Sequence, residues 1–342
     1  MNKQREYDVF DLTKFVLSIV IVAIHTHPLG EFHLLIYPWA RIAVPIFFMI
    51  SSYLFFSKLN TKKTEKEICV EMKLFCLRNA KLYLFWFILL FPVTAYTKHY
   101  FADGIGRGLR KLFIDFLFGS TFRMSWYLMA LILCVIVVYY SSRLKHGAFI
   151  IFIIGLLSNS LCCLFSNYAE ATRGIYDLFN FYPGTFFLSF PVGLIWVSLG
   201  NIFSKNDYSN VKSKYLWIGF LFSCVGLTIE QRIIYRIGIP ENNDCYFMLW
   251  PVCSLLFLLL LRTNIRLKNP KILRKTSVVV YCLHGSILLF VRKFMDMIDI
   301  SYKSLPGSFF CFAIVVFSCC VAALCLQSLA KKEKGHWLKY AF

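Results

Sequence analysis

Long apolar segments recur along the whole chain, and short polar or basic stretches separate them. Each segment is close to the length of about 20 residues that an α-helix needs to cross the core of a bilayer. The pattern therefore predicts an all-α, polytopic membrane protein with about ten transmembrane helices. The ten predicted segments are Phe10–Pro28, Leu35–Phe56, Leu74–Tyr96, Ser125–Tyr140, Ala148–Phe165, Pro183–Phe203, Tyr215–Tyr235, Tyr246–Leu261, Ser277–Phe294 and Leu305–Ala330.

The composition agrees with this pattern. Of the 342 residues, 58% are hydrophobic and 16% are charged, and the mean hydropathy is +0.64. Soluble domains are less apolar and more charged. The first apolar segment is long enough to span and is followed by further spans, so we interpret it as a retained helix and not as a cleaved signal peptide. Residues 1–342 are predicted to form a single integral-membrane domain, with Leu109–Phe118 as a candidate interfacial helix.

The distribution of positive charge predicts the orientation. Alternate connections, together with the two termini, carry 24 of the 37 Lys and Arg residues, whereas the opposite set carries 11. The positive-inside rule therefore places both termini in the cytoplasm. The same bias explains the net charge of +19, so no nucleic-acid partner is predicted. The most basic loops, Lys58–Lys81 and Arg262–Lys275, fit two interpretations: topology with anionic lipid, or docking of a phosphorylated cytoplasmic cosubstrate.

The 13 cysteines do not predict a metal or redox site. Two adjacent pairs occur, Cys162-Cys163 and Cys319-Cys320, but there is no C-x-x-C and no Cys/His spacing typical of a metal site. Most of the cysteines lie inside apolar segments, where Cys packs as a small hydrophobic residue. We expect no metal and no permanently bound cofactor.

The first apolar segment carries a polar stripe. Lys14 and His25 differ by eleven positions, which places them within about 20° of each other on an α-helix. Asp11 and Ser18 fall close to the same line. Because each charge at membrane depth costs about 2.5 kcal/mol or more, the stripe indicates a function beyond anchoring. The alternatives are a hydrogen bond from His25 to a neighbouring helix, and an Asp11–Lys14 pair at the membrane edge.

Further polar residues lie in other predicted spans, and each also has a structural interpretation. Arg41 fits outward snorkelling, and the pair Trp126 and Tyr127 fits an interfacial aromatic belt. Glu230 fits an ion pair with Arg232, and His284 fits a contact between helices. With the predicted orientation, most of these side chains point to the outer half of the bundle. Together with the stripe, they would form a polar track across the membrane.

The order of these motifs resembles the acyltransferase 3 family of membrane-bound acyltransferases. That family has a basic residue, ten intervening residues and a His in its first helix, as Lys14 and His25 do here. The other stretches that carry the resemblance are Arg41–Ser52, the basic Arg78–Trp86, the Trp-aromatic-Leu stretch Ser125–Leu128, and the Tyr-x-x-His within Ser277–His284. The chain differs from the family at Lys14, where Arg is usual, and at Ser52, where Gly is common. Lys keeps the charge but loses the bidentate geometry of Arg.

The resemblance implies transfer of an acyl group, most often acetyl, from cytoplasmic acyl-CoA to a hydroxyl of a carbohydrate on the outer side of a cell membrane, in a bacterium the cytoplasmic membrane. It implies that His25 is the catalytic residue, either as general base or as transient acyl carrier. Asp11, Lys14 and Arg78 would serve the donor path or bind acyl-CoA. The acceptor side or the shape of the site would depend on Arg41, Trp126, Tyr127, Glu230 and His284.

Two other functions remain open from the sequence. A transporter or flippase for a glycan or lipid-linked sugar would use the same polar residues without a covalent step, although no inverted repeat is evident. A structural homologue without activity is the other possibility, and the retained His25 argues against it. The expected partners are acyl-CoA, the carbohydrate acceptor and membrane lipids; a homodimer and a separate soluble partner are also open.

Overall fold

The computed structural model describes residues 3–122, 125–169, 171–172, 185–238 and 244–342. Within these residues the chain forms helices and turns and no β-strand. The helices with defined bounds are α1 (Lys3–Thr26), α2 (His33–Ala40), α3 (Ala43–Leu59), α4 (Glu65–Lys98), α5 (Ile105–Phe118), α6 (Trp126–Ser141), α7 (Gly147–Phe165), α8 (Phe190–Lys205), α9 (Ser213–Ile237), α10 (Leu249–Arg262), α11 (Pro270–Met297) and α12 (Leu305–Leu329). Short 3-10 helices lie at Gly30–Phe32, Phe186–Leu188 and Glu333–Ala341.

The all-helical, multi-pass architecture predicted from the sequence is confirmed. Seven segments of the described chain are long and apolar enough to cross a membrane, and the shorter apolar helices α6 and α10 lie at two further predicted spans. The exact number of ten spans and the cytoplasmic location of both termini stay predictions. The helix α5 lies at the predicted interfacial stretch and exposes apolar side chains such as Phe113.

Two predicted segments differ in detail from the observed helices. The second is interrupted, because α2 ends at Ala40 and α3 begins at Ala43. Pro45 has no N–H to donate to the carbonyl of Arg41, and this missing bond accounts for a break at that turn. The sixth begins at Phe190 in the structure, and its predicted start at Pro183 lies outside the described residues.

The centre of the bundle is α3, whose Phe48, Met49 and Ile50 are fully buried. It packs against α8, which in turn packs against α6 and α7. Small residues allow the close approach. A Cβ on Gly200 of α8 would lie 1.9 Å from Ser52 Oγ, so the small Ser52 and Gly200 face each other directly. Ser52, where the family commonly has Gly, therefore lies at a packing contact between two helices.

The contact between α7 and α8 leads to a prediction about stability. A Cβ on Gly155 would lie 2.8 Å from the backbone N of Ile195, and that backbone cannot rotate away as a side chain can. We expect Gly155→Ala to destabilise the protein by about 1–3 kcal/mol, the usual cost of overpacking. Gly106→Ala is the matched control, because a Cβ there meets nothing within 4 Å. Thermal unfolding in detergent measures both, and equal unfolding temperatures would contradict the prediction.

The described loops lie on two opposite sides of the bundle. We call the side where α1 begins the basic face, because its connections carry most of the cations. Salt bridges join its loops, among them Arg143 to Glu65 at 2.8 Å and Lys58 to Glu71 at 2.7 Å. We call the opposite side, where α1 ends, the pocket face.

A polar bracket on the pocket face holds the connection between α5 and α6. Lys98 Nζ lies 2.6 Å from the Asp115 carboxylate and also donates to the carbonyl of Ser120. The Tyr100 hydroxyl donates to the same Asp115 oxygen at 2.6 Å. Burial and this hydrogen bond raise the pKa of the Tyr100 phenol, so it remains a donor at neutral pH. The bracket fixes Ser120, which lines the cavity described next.

Candidate functional site

A cavity of about 330 Å³ opens near the pocket face of the described bundle. Its walls are mainly apolar and aromatic, and a few polar groups converge on it. Apolar walls with a few directed polar groups are typical of a site for a small molecule. Polar and aromatic side chains in the wall include His25, Arg41, Ser120, Trp126, Asn159, Trp196, Asp244, Tyr246 and Tyr281.

His25 lies in the last turn of α1, and its side chain is half-buried. The helix ends just beyond it, because His27 has a left-handed backbone with φ of 54°. Arg292 Nη2 of α11 donates to the carbonyl of His25 at 2.7 Å. A cation at the C-terminal end of a helix satisfies an unpaired carbonyl and interacts favourably with the helix dipole. Arg292 therefore fixes the backbone from which His25 projects.

The ring of His25 stacks on the ring of His284, with centroids 5.5 Å apart and planes 23° apart. His284 is completely buried in α11. Its Nδ1 lies 2.9 Å from the carbonyl of Val280 and 2.8 Å from that of Tyr281. Carbonyls only accept, so Nδ1 carries a proton. His284 supports His25 from behind and does not line the cavity.

Arg41 lies in the turn between α2 and α3 and forms a buried ion pair. Its Nη1 is 2.5 Å from Asp244 Oδ1, and the two side chains are 15% and 14% exposed. The guanidinium also donates to the Tyr37 hydroxyl and lies 4.4 Å from the centre of that ring. Arg41 Nε is buried and has no hydrogen-bond partner among the described residues. Arg41 therefore points into the molecule and does not snorkel outward.

Lys14 lies at the other end of the polar stripe and contacts a hydrogen-bonded chain. Its Nζ donates to Ser51 Oγ at 3.1 Å, and Ser51 Oγ lies 3.1 Å from the Tyr127 hydroxyl. Tyr127 donates onward to the carbonyl of Phe47 at 3.1 Å. With Ser51 donating to Tyr127, every group in this line has a partner. The two adjacent aromatic residues therefore have different surroundings. Tyr127 is part of this line of hydrogen bonds, while Trp126 lines the cavity.

The residues that the sequence predicts to serve the donor lie on the basic face. The Asp11 carboxylate is 3.9 Å from Arg274 Nη1, and Lys14 binds Ser51, so the suggested Asp11–Lys14 pair does not form. Arg78 is exposed on α4. It lies within electrostatic range of Lys14 and of Arg274. Three cations and the two carboxylates Asp8 and Asp11 thus share this end of α1.

Glu230 acts on the backbone of a neighbouring segment. One carboxylate oxygen accepts from the N–H of Phe247 at 2.8 Å and from the Tyr168 hydroxyl at 3.0 Å. The other accepts from the N–H of Met248 at 2.8 Å. Arg232 is exposed and makes no ion pair with Glu230 in the described structure. Glu230 therefore holds the segment entering α10, which also carries the cavity residues 244–246.

The site shows no arrangement typical of a metal centre. Among the described residues, no group of three or more His, Cys, Asp or Glu side chains could hold a metal ion. The 13 cysteines are unpaired thiols, and most of them are buried.

Comparison with known proteins decides the family. A family model described as an acyltransferase domain matches residues 7–325, nearly the whole chain. The chain belongs to the acyltransferase 3 family. The resemblance seen in the sequence motifs is thereby confirmed. No solved structure matches this acyltransferase-family chain.

Curated relatives of this acyltransferase-family protein carry other names. It is 27% identical to a protein of Enterococcus faecalis described as an amino-acid racemase, over 98% of this chain and 48% of the relative. It is 25% identical to a protein of Enterococcus gallinarum described as a serine/alanine racemase, over 96% of this chain and 47% of the relative. The chain spans about half the length of these curated relatives.

Sequence reasoning missed several residues of this acyltransferase-family site. Asp244, the partner of Arg41, gave only a weak signal, since it is one of several acidic residues in connections. Asn159 is buried, accepts from Trp250 Nε1 at 2.6 Å and donates to the carbonyl of Val192 at 3.2 Å. A buried amide inside an apolar segment could have been noticed. Arg292 could also have been noticed, because it is a cation just inside the end of the predicted span Ser277–Phe294 and such a cation needs a partner.

Proposed function

We propose that this protein is an O-acyltransferase that moves an acyl group, most often acetyl, from acyl-CoA on the cytoplasmic side to a carbohydrate hydroxyl in the cavity. In this proposal the basic face is cytoplasmic, and acyl-CoA is a cosubstrate that is not permanently bound. The observation that carries the proposal is the position of His25. It lines a cavity of about 330 Å³ near the pocket face, and the cations of the basic face lie at the other end of the same helix.

The chemistry assigned to His25 is general base catalysis. The imidazole takes the proton of the acceptor hydroxyl while that oxygen attacks the thioester carbonyl. The carbon–sulfur bond breaks, the CoA thiolate leaves, and the imidazolium returns the proton to the thiolate. The products are the acyl ester and CoA thiol. The stacked His284 and the Arg292 contact keep His25 in place during these steps. A transient acyl-imidazole on His25 is the variant in which the same residue acts as nucleophile.

Acceptor binding is assigned to the polar and aromatic groups of the cavity. Trp126 and Trp196 offer ring faces to the C–H surfaces of a sugar, and Asp244 offers carboxylate oxygens. The Arg41 guanidinium also lines the cavity and offers N–H donors to an acceptor oxygen. The cavity volume of about 330 Å³ lies at the lower end of the range of about 300–1,000 Å³ that is usual for small-molecule sites, and it suits a unit about the size of one sugar. Serine belongs in the acceptor panel, because one relative is named for it and its side chain carries a hydroxyl.

Donor binding is assigned to the basic face. Arg78 is the proposed contact for a CoA phosphate, with Asp11 and Lys14 shaping the path of the thioester arm. The Lys14–Ser51–Tyr127 chain supports this path, since it continues polar groups from the basic face into the bundle.

The experiment is acyl transfer by the purified protein in lipid vesicles supplied with acetyl-CoA labelled in the acetyl group. Candidate acceptors are glycans fractionated from the host and, separately, serine. We expect CoA release that depends on an acceptor, together with label in the acceptor. Transport of a labelled glycan or lipid-linked sugar across the vesicle membrane without CoA release from acetyl-CoA or related donors would overturn the proposal in favour of a transporter.

A further inference from the structure

Residues 333–342, which we call the returning segment, fold back onto the basic face beside α4. Leu338 and Ala341 are buried. The indole N–H of Trp86, which is fully buried in α4, donates to the carbonyl of Ala341 at 3.2 Å. The turn into the segment is tight, because a Cβ on Gly335 would lie 2.0 Å from the carbonyl oxygen of Leu329. The segment is therefore packed against this face.

The last residues of the returning segment bridge two helices. Lys81 Nζ of α4 lies 5.4 Å from the centre of the Tyr340 ring. Lys275 Nζ of α11 lies 4.8 Å from the centre of the Phe342 ring. Both lysines therefore hold their charge next to an aromatic surface, at distances typical of cation–π contacts. The Tyr340 side chain is partly open, since the residue is 38% exposed.

The same stretches of α4 and α11 carry the cations of the donor side. Lys81 is three residues beyond Arg78, on the same side of α4. Lys275 directly follows Arg274 of α11. With Lys14, five cations lie at one end of the bundle. Two carboxylates lie near them: Asp11 faces Arg274, and Asp8 accepts from the backbone N–H of Leu267 at 3.1 Å. The acidic residues at the start of α4 are engaged elsewhere: Glu71 pairs with Lys58, and Glu65 with Arg143.

An excess of like charges in one place is unfavourable unless an anion binds there. A surface that combines such cations with an open aromatic ring suits a ligand with both phosphates and a planar base. Base stacking on an aromatic side chain contributes about 1–3 kcal/mol in nucleic-acid sites. A phospholipid headgroup has the phosphate but lacks the base, so it would leave the Tyr340 ring unused.

We propose that the returning segment forms the adenine-binding wall of the donor site, where Tyr340 stacks on the base and the cations of α4 and α11 contact the phosphates. The ligand class is an adenosine carrying 3′- and 5′-phosphates, as in acyl-CoA. This inference rests on the proposed function for the identity of the donor. It assigns a role to the returning segment and to Tyr340, which lie outside the sequence motifs, and it gives a specific role to Lys81 and Lys275, which lie in the basic loops.

The test compares two acyl donors that share the thioester and differ in the nucleotide: acetyl-CoA and acetyl-pantetheine. Tyr340→Ala is expected to raise the KM for acetyl-CoA about tenfold, the loss of one stacked base, and to leave the KM for acetyl-pantetheine unchanged. Lys81→Gln is likewise expected to raise the KM for acetyl-CoA and to leave the KM for acetyl-pantetheine unchanged. Controls of matched chemistry are Phe222→Ala, which removes a ring that is 80% exposed on α9, and Lys293→Gln, which removes an exposed cation near the pocket-face end of α11. Neither control should change the ratio of the two KM values.

A purely structural role of Tyr340 would raise both KM values together, and that result would overturn the inference. Binding of adenosine 3′,5′-bisphosphate alone, followed by calorimetry in nanodiscs, separates this inference from the proposed function. If no acyl transfer occurs but Tyr340→Ala weakens this binding about tenfold, the adenine wall stands and the proposed function fails. Weakening by Lys81→Gln with no effect of Tyr340→Ala would mean a site for phosphate only, such as a lipid headgroup, and would overturn the inference.

Discussion

His25→Ala is expected to lower acyl transfer by at least about a hundredfold, the usual contribution of a positioned general base. The physical reason is that His25, among the titratable side chains of the described cavity wall, both has a lone pair that can accept a proton near neutral pH and lies where the proposed transfer takes place. Arg41 stays protonated, and Asp244 is occupied by it. The measurement is acceptor-dependent CoA release in vesicles at equal amounts of folded protein. The KM for acetyl-CoA should change little, because the proposed nucleotide site lies at the other end of the bundle.

The matched control is His27→Asn, two residues further along the same turn. His27 has a left-handed backbone, which Asn tolerates, and it does not line the cavity. We expect this variant to keep most of the activity. Equal loss in both variants would mean that the turn after α1 matters as a whole, and undiminished transfer by His25→Ala would exclude His25 as base and as acyl carrier.

Breaking the Arg41–Asp244 pair is expected to have the second largest effect. Arg41→Gln leaves the Asp244 carboxylate buried without its cation, which costs about 3–5 kcal/mol in buried pairs. Asp244→Asn leaves the guanidinium unpaired in the same way. The double variant Arg41→Gln with Asp244→Asn removes both charges and should recover part of the loss. Thermal unfolding in detergent measures the stability of the three variants. Acyl transfer by the double variant should stay low, because the proposed contacts of Arg41 and Asp244 with the acceptor are gone.

The exposed pair Arg143–Glu65 on the basic face provides the control. Its atoms are 2.8 Å apart, against 2.5 Å in the Arg41–Asp244 pair, but its side chains are 49% and 68% exposed. The same set of variants there should change stability by less than about 1 kcal/mol. Equal coupling in the two pairs would contradict the importance of burial at Arg41, and additive effects of the two single changes would show that Arg41 and Asp244 act independently.

The helical fold could be predicted because hydropathy and length decide it locally. The same local reasoning could not place the break after Arg41, since one missing hydrogen bond at Pro45 produces it. Local periodicity also placed Lys14 and His25 on one side of α1. It could not show their partners, because Ser51 lies 37 residues from Lys14 and His284 lies far along the chain on α11.

The candidate site was predictable where a polar residue has no low-cost explanation in a membrane segment. Arg41 stood out for that reason, but the identity of its partner depends on how distant helices pack, so Asp244 did not. The two aromatic residues at the start of α6 were treated as a pair. They are successive positions on a helix, about 100° apart, which is why Trp126 faces the cavity while Tyr127 faces Ser51.

The contacts between α1 and α11 have a consequence for how substrates enter. At the basic face Arg274 of α11 lies near Asp11, and at the pocket face Arg292 of the same helix holds the carbonyl of His25. The two helices are joined at both ends, and the rings of His25 and His284 stack between them, so α1 and α11 move as one rigid unit. Tilting α1 alone would break contacts at both ends together. We therefore expect the gate for the proposed donor and acceptor to form among the surrounding helices, with the interrupted α2–α3 segment as its hinge. The paired helices α1 and α11 would keep His25 in the same position throughout the proposed catalytic cycle.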